Sequence, residues 1–133
     1  MPLIDIWQKS QESVLEMSIQ QIVPIAGDGS LRDASKTSEE LRHFLSEVDS
    51  KYLRIYAKQI LSNSFTDSGL VLQDIINEAG RRLGLQVTNG IYRGKQKHNN
   101  CDGIWRTNNW TFVVEVKTTD AYTIKLDKIA EYL

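Results

Sequence analysis

Two carboxylates and an ammonium, Asp102, Glu115 and Lys117, lie on either side of a short polar stretch, Thr107-Asn108-Asn109. Strand alternation puts Glu115 and Lys117 on one face with Thr111 and Val113. The opposite face then carries Trp110, Phe112, Val114 and Val116 and is expected to be apolar and buried. Asn tolerates positive φ and suits tight hairpin loops, so residues 101–106 are expected to fold back and carry Asp102 toward Glu115. Two adjacent carboxylates repel unless a cation lies between them, and carboxylate oxygens are natural ligands of Mg²⁺. A lysine beside them can orient a water or offset charge developing on a phosphate.

Asp102 followed by Glu115-Val116-Lys117 resembles the motif of the PD-(D/E)XK nucleases, a superfamily that includes many restriction endonucleases and some DNA repair and recombination nucleases. Cys101 stands at the position of the motif's variable proline. The resemblance implies Mg²⁺, with Mn²⁺ as a substitute, held by Asp102, Glu115 and the backbone carbonyl of Val116. Lys117 would position the attacking water, and cleavage would leave a 5′-phosphate. It also implies an acidic residue on the helix before the sheet, and Glu78 in LQDIINEAGRRLG is placed to touch the metal directly or through water. The residues alone offer Glu78 a surface salt bridge to Arg82, one turn on. From about Ile25 to the C-terminus the chain looks like the amino-terminal part of bacterial restriction-endonuclease-like proteins.

Composition bounds these readings. A chain of 133 residues is long enough for a single core and short of two. One cysteine excludes an intrachain disulfide and a CxxC metal site, so a reducing cytoplasm is the expected compartment. The amino terminus lacks a basic start followed by an apolar run, and no stretch approaches transmembrane length, so no membrane partner is expected. The net charge of −1 is unevenly spread: residues 1–50 hold nine acids and four bases, whereas residues 81–106 hold six bases and Asp102 alone. Such a basic segment leading into the site would draw a phosphate backbone, and it could equally be a solvated surface. Within it Lys95, Lys97, His98 and Asn100 are the candidate nucleic-acid contacts, the two lysines ahead of His98.

The positioning elements follow from periodicity. Residues 5–23 read as one helix ended by Pro24, and the glycines of Ala26-Gly27-Asp28-Gly29-Ser30 as a loop without the ending of a phosphate-binding loop. Thr37 and Glu40 form a capping box for a helix that carries Leu41, Phe44 and Leu45, with a break near Val48-Asp49-Ser50 before Tyr52, Ile55, Tyr56 and Ile60. These aromatics are expected in the core rather than on a base-stacking surface. Residues 69–83 form the next helix, with Gly84 as its stop, and residues 85–92 the first strand, bent at Asn89-Gly90. A cross-strand pair of Trp105 and Trp110 is expected near the hairpin turn. After a loop at 118–123, a further helix begins at Ile124.

The expected fold is α/β (α+β): a helical region, 1–68, packed on a restriction-endonuclease-like α-β-β-β-α core, 69–133, that lacks the last strand. The two parts form one compact domain, read as a fragment of a longer protein. An unpaired sheet edge invites a homodimer. The expected function is a Mg²⁺-dependent endonuclease acting on DNA. The alternatives are a catalytically inactive nuclease-like module that binds DNA or protein, and a helical interaction domain in which Glu115 and Lys117 are only a surface pair.

Overall fold

Short polar residues divide the first part of the chain more finely than its apolar stripe suggests. A computed structural model describes residues 2–92 and 101–119, and in it residues 5–23 are not one helix. They contribute to α1 (Leu3–Lys9), α2 (Gln11–Leu15) and α3 (Ile19–Ile22), followed by a 3₁₀ turn, Val23–Ile25, that contains Pro24. Ser10 leaves helical geometry at φ −155°. At Ser18 a capping box restarts the chain: its hydroxyl accepts from the Gln21 amide at 3.3 Å, and the Gln21 side chain accepts from the Ser18 amide at 2.9 Å.

The box expected at Thr37 is also reassigned. α4 (Lys36–Glu47) is capped by Ser35, whose hydroxyl accepts from the Ser38 amide at 3.1 Å. Thr37 instead donates to Asp28 at 2.9 Å, and Glu40 accepts from the amides of Gly27 and Ile4. Both side chains are spent on fastening the glycine loop and the amino-terminal helix to α4. A Cβ on Gly27, at φ +54°, would collide with Thr37.

The break at 48–50 is present, and α5 (Ser50–Ser62) is capped by Asp49, which accepts from the Lys51 amide at 3.0 Å. Trp7 meets Phe44 edge-on with centroids 5.1 Å apart, and Phe44 lies 6.1 Å from Tyr56, so these aromatics form core. Burial of each such side chain is worth roughly 1.5–3 kcal/mol.

α6 (Ser68–Arg82) ends in a Schellman motif. Gly84, at φ +88°, donates to the carbonyl of Arg81 at 3.0 Å, and Leu85 donates to that of Gly80 at 3.2 Å. The reversal starts β1 (Gln86–Asn89), which pairs antiparallel with β2 (Gly103–Arg106), and β2 pairs antiparallel with β3 (Thr111–Val114). The described chain is therefore mixed α and β, six α-helices with a three-stranded antiparallel sheet. The helix expected from Ile124 lies outside the described residues. Among the described residues no helix is long and apolar enough to cross a membrane.

Three expectations about the hairpin need correction. Trp105 stands opposite Phe112, not Trp110. Neither Asn108 nor Asn109 takes positive φ; the Thr107 hydroxyl closes the turn, accepting from the amides of Asn109 and Trp110 at 3.2 and 2.9 Å. The apolar face is buried only in part: Trp110 is 69% and Phe112 48% exposed. α6 packs on β1 and β2, so Phe112, which shares the Trp105 face on the outer strand, projects past the helix.

A buried ion pair joins the helical layer to the segment after β1. Arg42 Nε donates to Asp74 Oδ1 at 3.0 Å, the Tyr92 hydroxyl donates to Asp74 Oδ2, and the guanidinium lies 4.9 Å over the Tyr92 ring. Burial raises the Asp74 carboxyl above the usual range, and Arg42 pulls it back. Removing only the cation would strand a buried carboxylate. Arg42→Met is expected to lower stability by about 3–5 kcal/mol, read as the urea midpoint at unchanged slope.

Candidate functional site

One helix row carries the site. Gly69, Gln73, Asn77 and Gly80 follow one another at three- or four-residue spacing on α6 and face the sheet and the chain that leaves it. Asn77 donates from Nδ2 to the Asp102 carbonyl at 2.9 Å and accepts at Oδ1 from Trp105 Nε1, also at 2.9 Å. Two glycines make this approach possible. A Cβ on Gly80 would stand 2.6 Å from the Trp105 ring, and one on Gly103 would overlap Asn77 Oδ1. The Asp102 carbonyl also accepts from the Gly90 amide at 3.0 Å, so β1, β2 and α6 converge on one backbone group.

With its main chain held, Asp102 sits where the β2–β3 ladder ends. Its amide donates to the Val114 carbonyl at 2.9 Å, and its Oδ2 accepts from the Val116 amide at 2.6 Å. Its carboxyl is also within hydrogen-bonding reach of Glu115. Lys117 Nζ stands 3.5 Å from Glu115 Oε2. Asp102, Glu115, Val116 and Lys117 are therefore brought together, and they line a pocket of about 380 Å³ with Gly69, Leu70, Gln73, Ile91, Tyr92, Thr118 and Thr119.

The electrostatics are those of a crowded acid pair. The Asp102 carboxyl is pushed up to about 6, chiefly by burial. The Val116 amide lowers it, the neighbouring Glu115 raises it, and Lys117 offsets part of that rise. Hard oxygen donors with excess negative charge suit a divalent cation such as Mg²⁺, and the donor set here fits one.

Glu78 is not in this group. It lies one row round the helix beside Asp74, bonded to Arg82 Nε at 2.9 Å with Arg81 3.8 Å away, and Arg82 reaches on to the Leu45 carbonyl and the Ser50 hydroxyl. The salt bridge to Arg82 offered by the sequence is formed within α6, and Arg82 links it to the helical layer. Among the described residues no third His, Cys, Asp or Glu completes a cluster with the acid pair. Lys95, Lys97, His98 and Asn100 lie outside the described residues.

α6 does send a polar side chain to the pocket, and it is Gln73. Only 2% exposed, it keeps its Nε2 buried without a hydrogen-bond partner among the described residues. The sequence carried a signal for it: Gln73 is one turn before Asn77 in a row bounded by Gly69 and Gly80, the row that must meet the strands.

In metal-free protein the raised Asp102 value has a definite consequence for stability. Between pH of about 4 and 6 the folded site retains a proton that the unfolded carboxyl has released. This stabilising contribution is complete below the lower value and is lost as pH rises through the upper one. Wild-type stability is therefore expected to fall across that window relative to Asp102→Asn, measured by urea denaturation in chelator at half-unit pH steps. A constant difference between the two proteins would contradict the crowded pair. Compared with known proteins, the chain matches no family model, no curated protein and no solved structure.

Proposed function

We propose that this protein is a Mg²⁺-dependent endonuclease that hydrolyses DNA phosphodiester bonds. The reading rests on one observation above all: the carboxylates of Asp102 and Glu115 meet beside Lys117 in an open pocket, at the end of a hairpin pinned to a helix. An ordinary surface ion pair has no reason to bring a second, half-buried carboxylate into contact with the first.

In this reading Asp102 and Glu115 are the carboxylate ligands, and the carbonyl of Val116 adds a third oxygen. A cation bound there would neutralise charge at the scissile phosphate and lower the pKa of a water, so that its deprotonated form is available to attack phosphorus. Lys117 holds that water in line by hydrogen bonding and offsets charge on the phosphoryl oxygens. The Val116 amide, donating to Oδ2, fixes the plane of the Asp102 carboxylate. Asn77 acts one step back, by holding the Asp102 main chain. The positive charge of Lys95 and Lys97 would add to the attraction of a DNA backbone.

The test is cleavage of supercoiled and linear plasmid at millimolar Mg²⁺ or Mn²⁺. Asp102→Ala and Lys117→Ala are each expected to lower the rate at least about 100-fold. Glu78→Gln is expected to cut at close to the wild-type rate, because its carboxylate is paired with Arg82 away from the pocket. Equal nicking by wild type and the Asp102 variant would trace the activity to a contaminant. Binding of a duplex without cleavage would favour a nuclease-like module that docks DNA.

A further inference from the structure

A second concavity lies on the other side of α6. α5 and α6 run antiparallel and leave a groove of about 440 Å³, with Leu53 and Ala57 on one wall and Ile75, Ile76, Ala79 and Leu83 on the other. The apolar surface continues to its ends. Leu83 is 75% exposed, and Leu61, on the same row of α5 as Ala57, is 57% exposed. Exposed aliphatics lining a ready-made depression mark a binding surface more often than those scattered singly do.

The rim says what kind of partner fits. α5 carries Lys51, Arg54 and Lys58 at three- and four-residue spacing and no acidic residue. Arg54 lines the groove, and neither it nor Lys58 has an ion-pair partner among the described residues. Neither acid of α6 lines the groove: Asp74 is paired with Arg42, and Glu78 with Arg81 and Arg82. A row of bases without ion-pair partners among the described residues, along an aliphatic floor, is complementary to an amphipathic helix whose apolar stripe is flanked by carboxylates. Two copies of this groove placed face to face would oppose base to base. A nucleic-acid backbone would satisfy the bases and leave the aliphatic floor in water.

We infer that the α5–α6 groove docks an acidic amphipathic helical segment of a partner protein, seated over Leu53, Ala57, Ile76 and Leu83 and held by Arg54 and Lys58. This surface is separate from the pocket at Asp102, and its occupation does not depend on the nuclease reading.

The probe is a fluorescein-labelled 16-residue synthetic helix with Leu at i, i+3, i+4 and i+7 spacing and Glu on its flanks, titrated with the full chain by anisotropy. Arg54→Glu/Lys58→Glu and Leu83→Ser alter exposed side chains, so the fold is expected to survive, checked by circular dichroism. Each is expected to weaken binding at least tenfold. A peptide with Lys in place of Glu should bind at least tenfold more weakly to wild type. Equal affinity for the two peptides, no binding of either, or binding indifferent to the double variant would overturn the inference. So would a labelled 20-base-pair duplex that binds wild type and is lost in the double variant while the acidic peptide fails. Concentration-dependent dimerisation abolished by Leu83→Ser would give the groove to a second copy and overturn it as well.

Discussion

The two-ended bond of the Asn77 side chain is the constraint on which the rest depends. An isolated three-stranded sheet of four-residue strands has little hold on its own register. One amide fixes it by donating to the Asp102 carbonyl and accepting from Trp105, three residues further along the chain in β2. The contact requires the backbones of α6 and β2 to come closer than side chains usually permit, which is why Gly80 and Gly103 stand where they do. Any larger residue at either position would lift β2 off the helix, and Asp102 would move with it.

α6 serves two environments by separating them around its axis. The row of Gly69, Gln73, Asn77 and Gly80 meets the strands and the pocket, while Asp74 and Glu78 turn to the helical layer and meet Arg42 and Arg82. Charge therefore lies on the face where cations from α4 and α6 itself can compensate it, and neutral amides lie where the backbone of β2 must be matched. Tyr92 bridges the two sides: its hydroxyl closes the Asp74 pair, its amide donates to Asp33 at 2.9 Å, and its side chain forms part of the pocket wall. Through Tyr92 the pocket wall is anchored to the helical layer and the loop before α4.

Much of this was legible from residue order, and the failures have physical causes. The boundaries of α5 and α6 follow from Asp49 and Gly84, local signals that nothing else competes for. The β2–β3 pairing was legible from the short polar stretch at 107–109, whereas the alternation expected behind it is not seen in burial: Thr111, Phe112 and Val113 are all exposed. Thr37 and Glu40 fit a capping box, yet both are spent on long-range bonds to the glycine loop that no local pattern reveals. Ser18 and Gln21 form a real capping box that an apolar stripe running through it obscured. At the site, the meeting of Asp102 with Glu115 could be read from alternation plus a turn. The choice between Gln73 and Glu78 could not be read from charge, because it depends on which helix row faces the strands.

The position of the acid pair at the end of the ladder has its own logic. Between β2 and β3 the regular register stops at Gly103 opposite Val114. One step further the Val116 amide needs an acceptor, and the Asp102 side chain supplies it in place of a strand carbonyl. A neutral Asn could fill that structural role. A carboxylate instead is stripped of water in a half-buried pocket and set beside the charge of Glu115, and burial first, then Glu115, push it up to about 6. The architecture thus accepts an electrostatic penalty where a neutral residue would avoid it. That penalty is relieved by a proton at low pH; in the proposed reading a divalent cation between the two carboxylates would relieve it at neutral pH and leave both acids ionised.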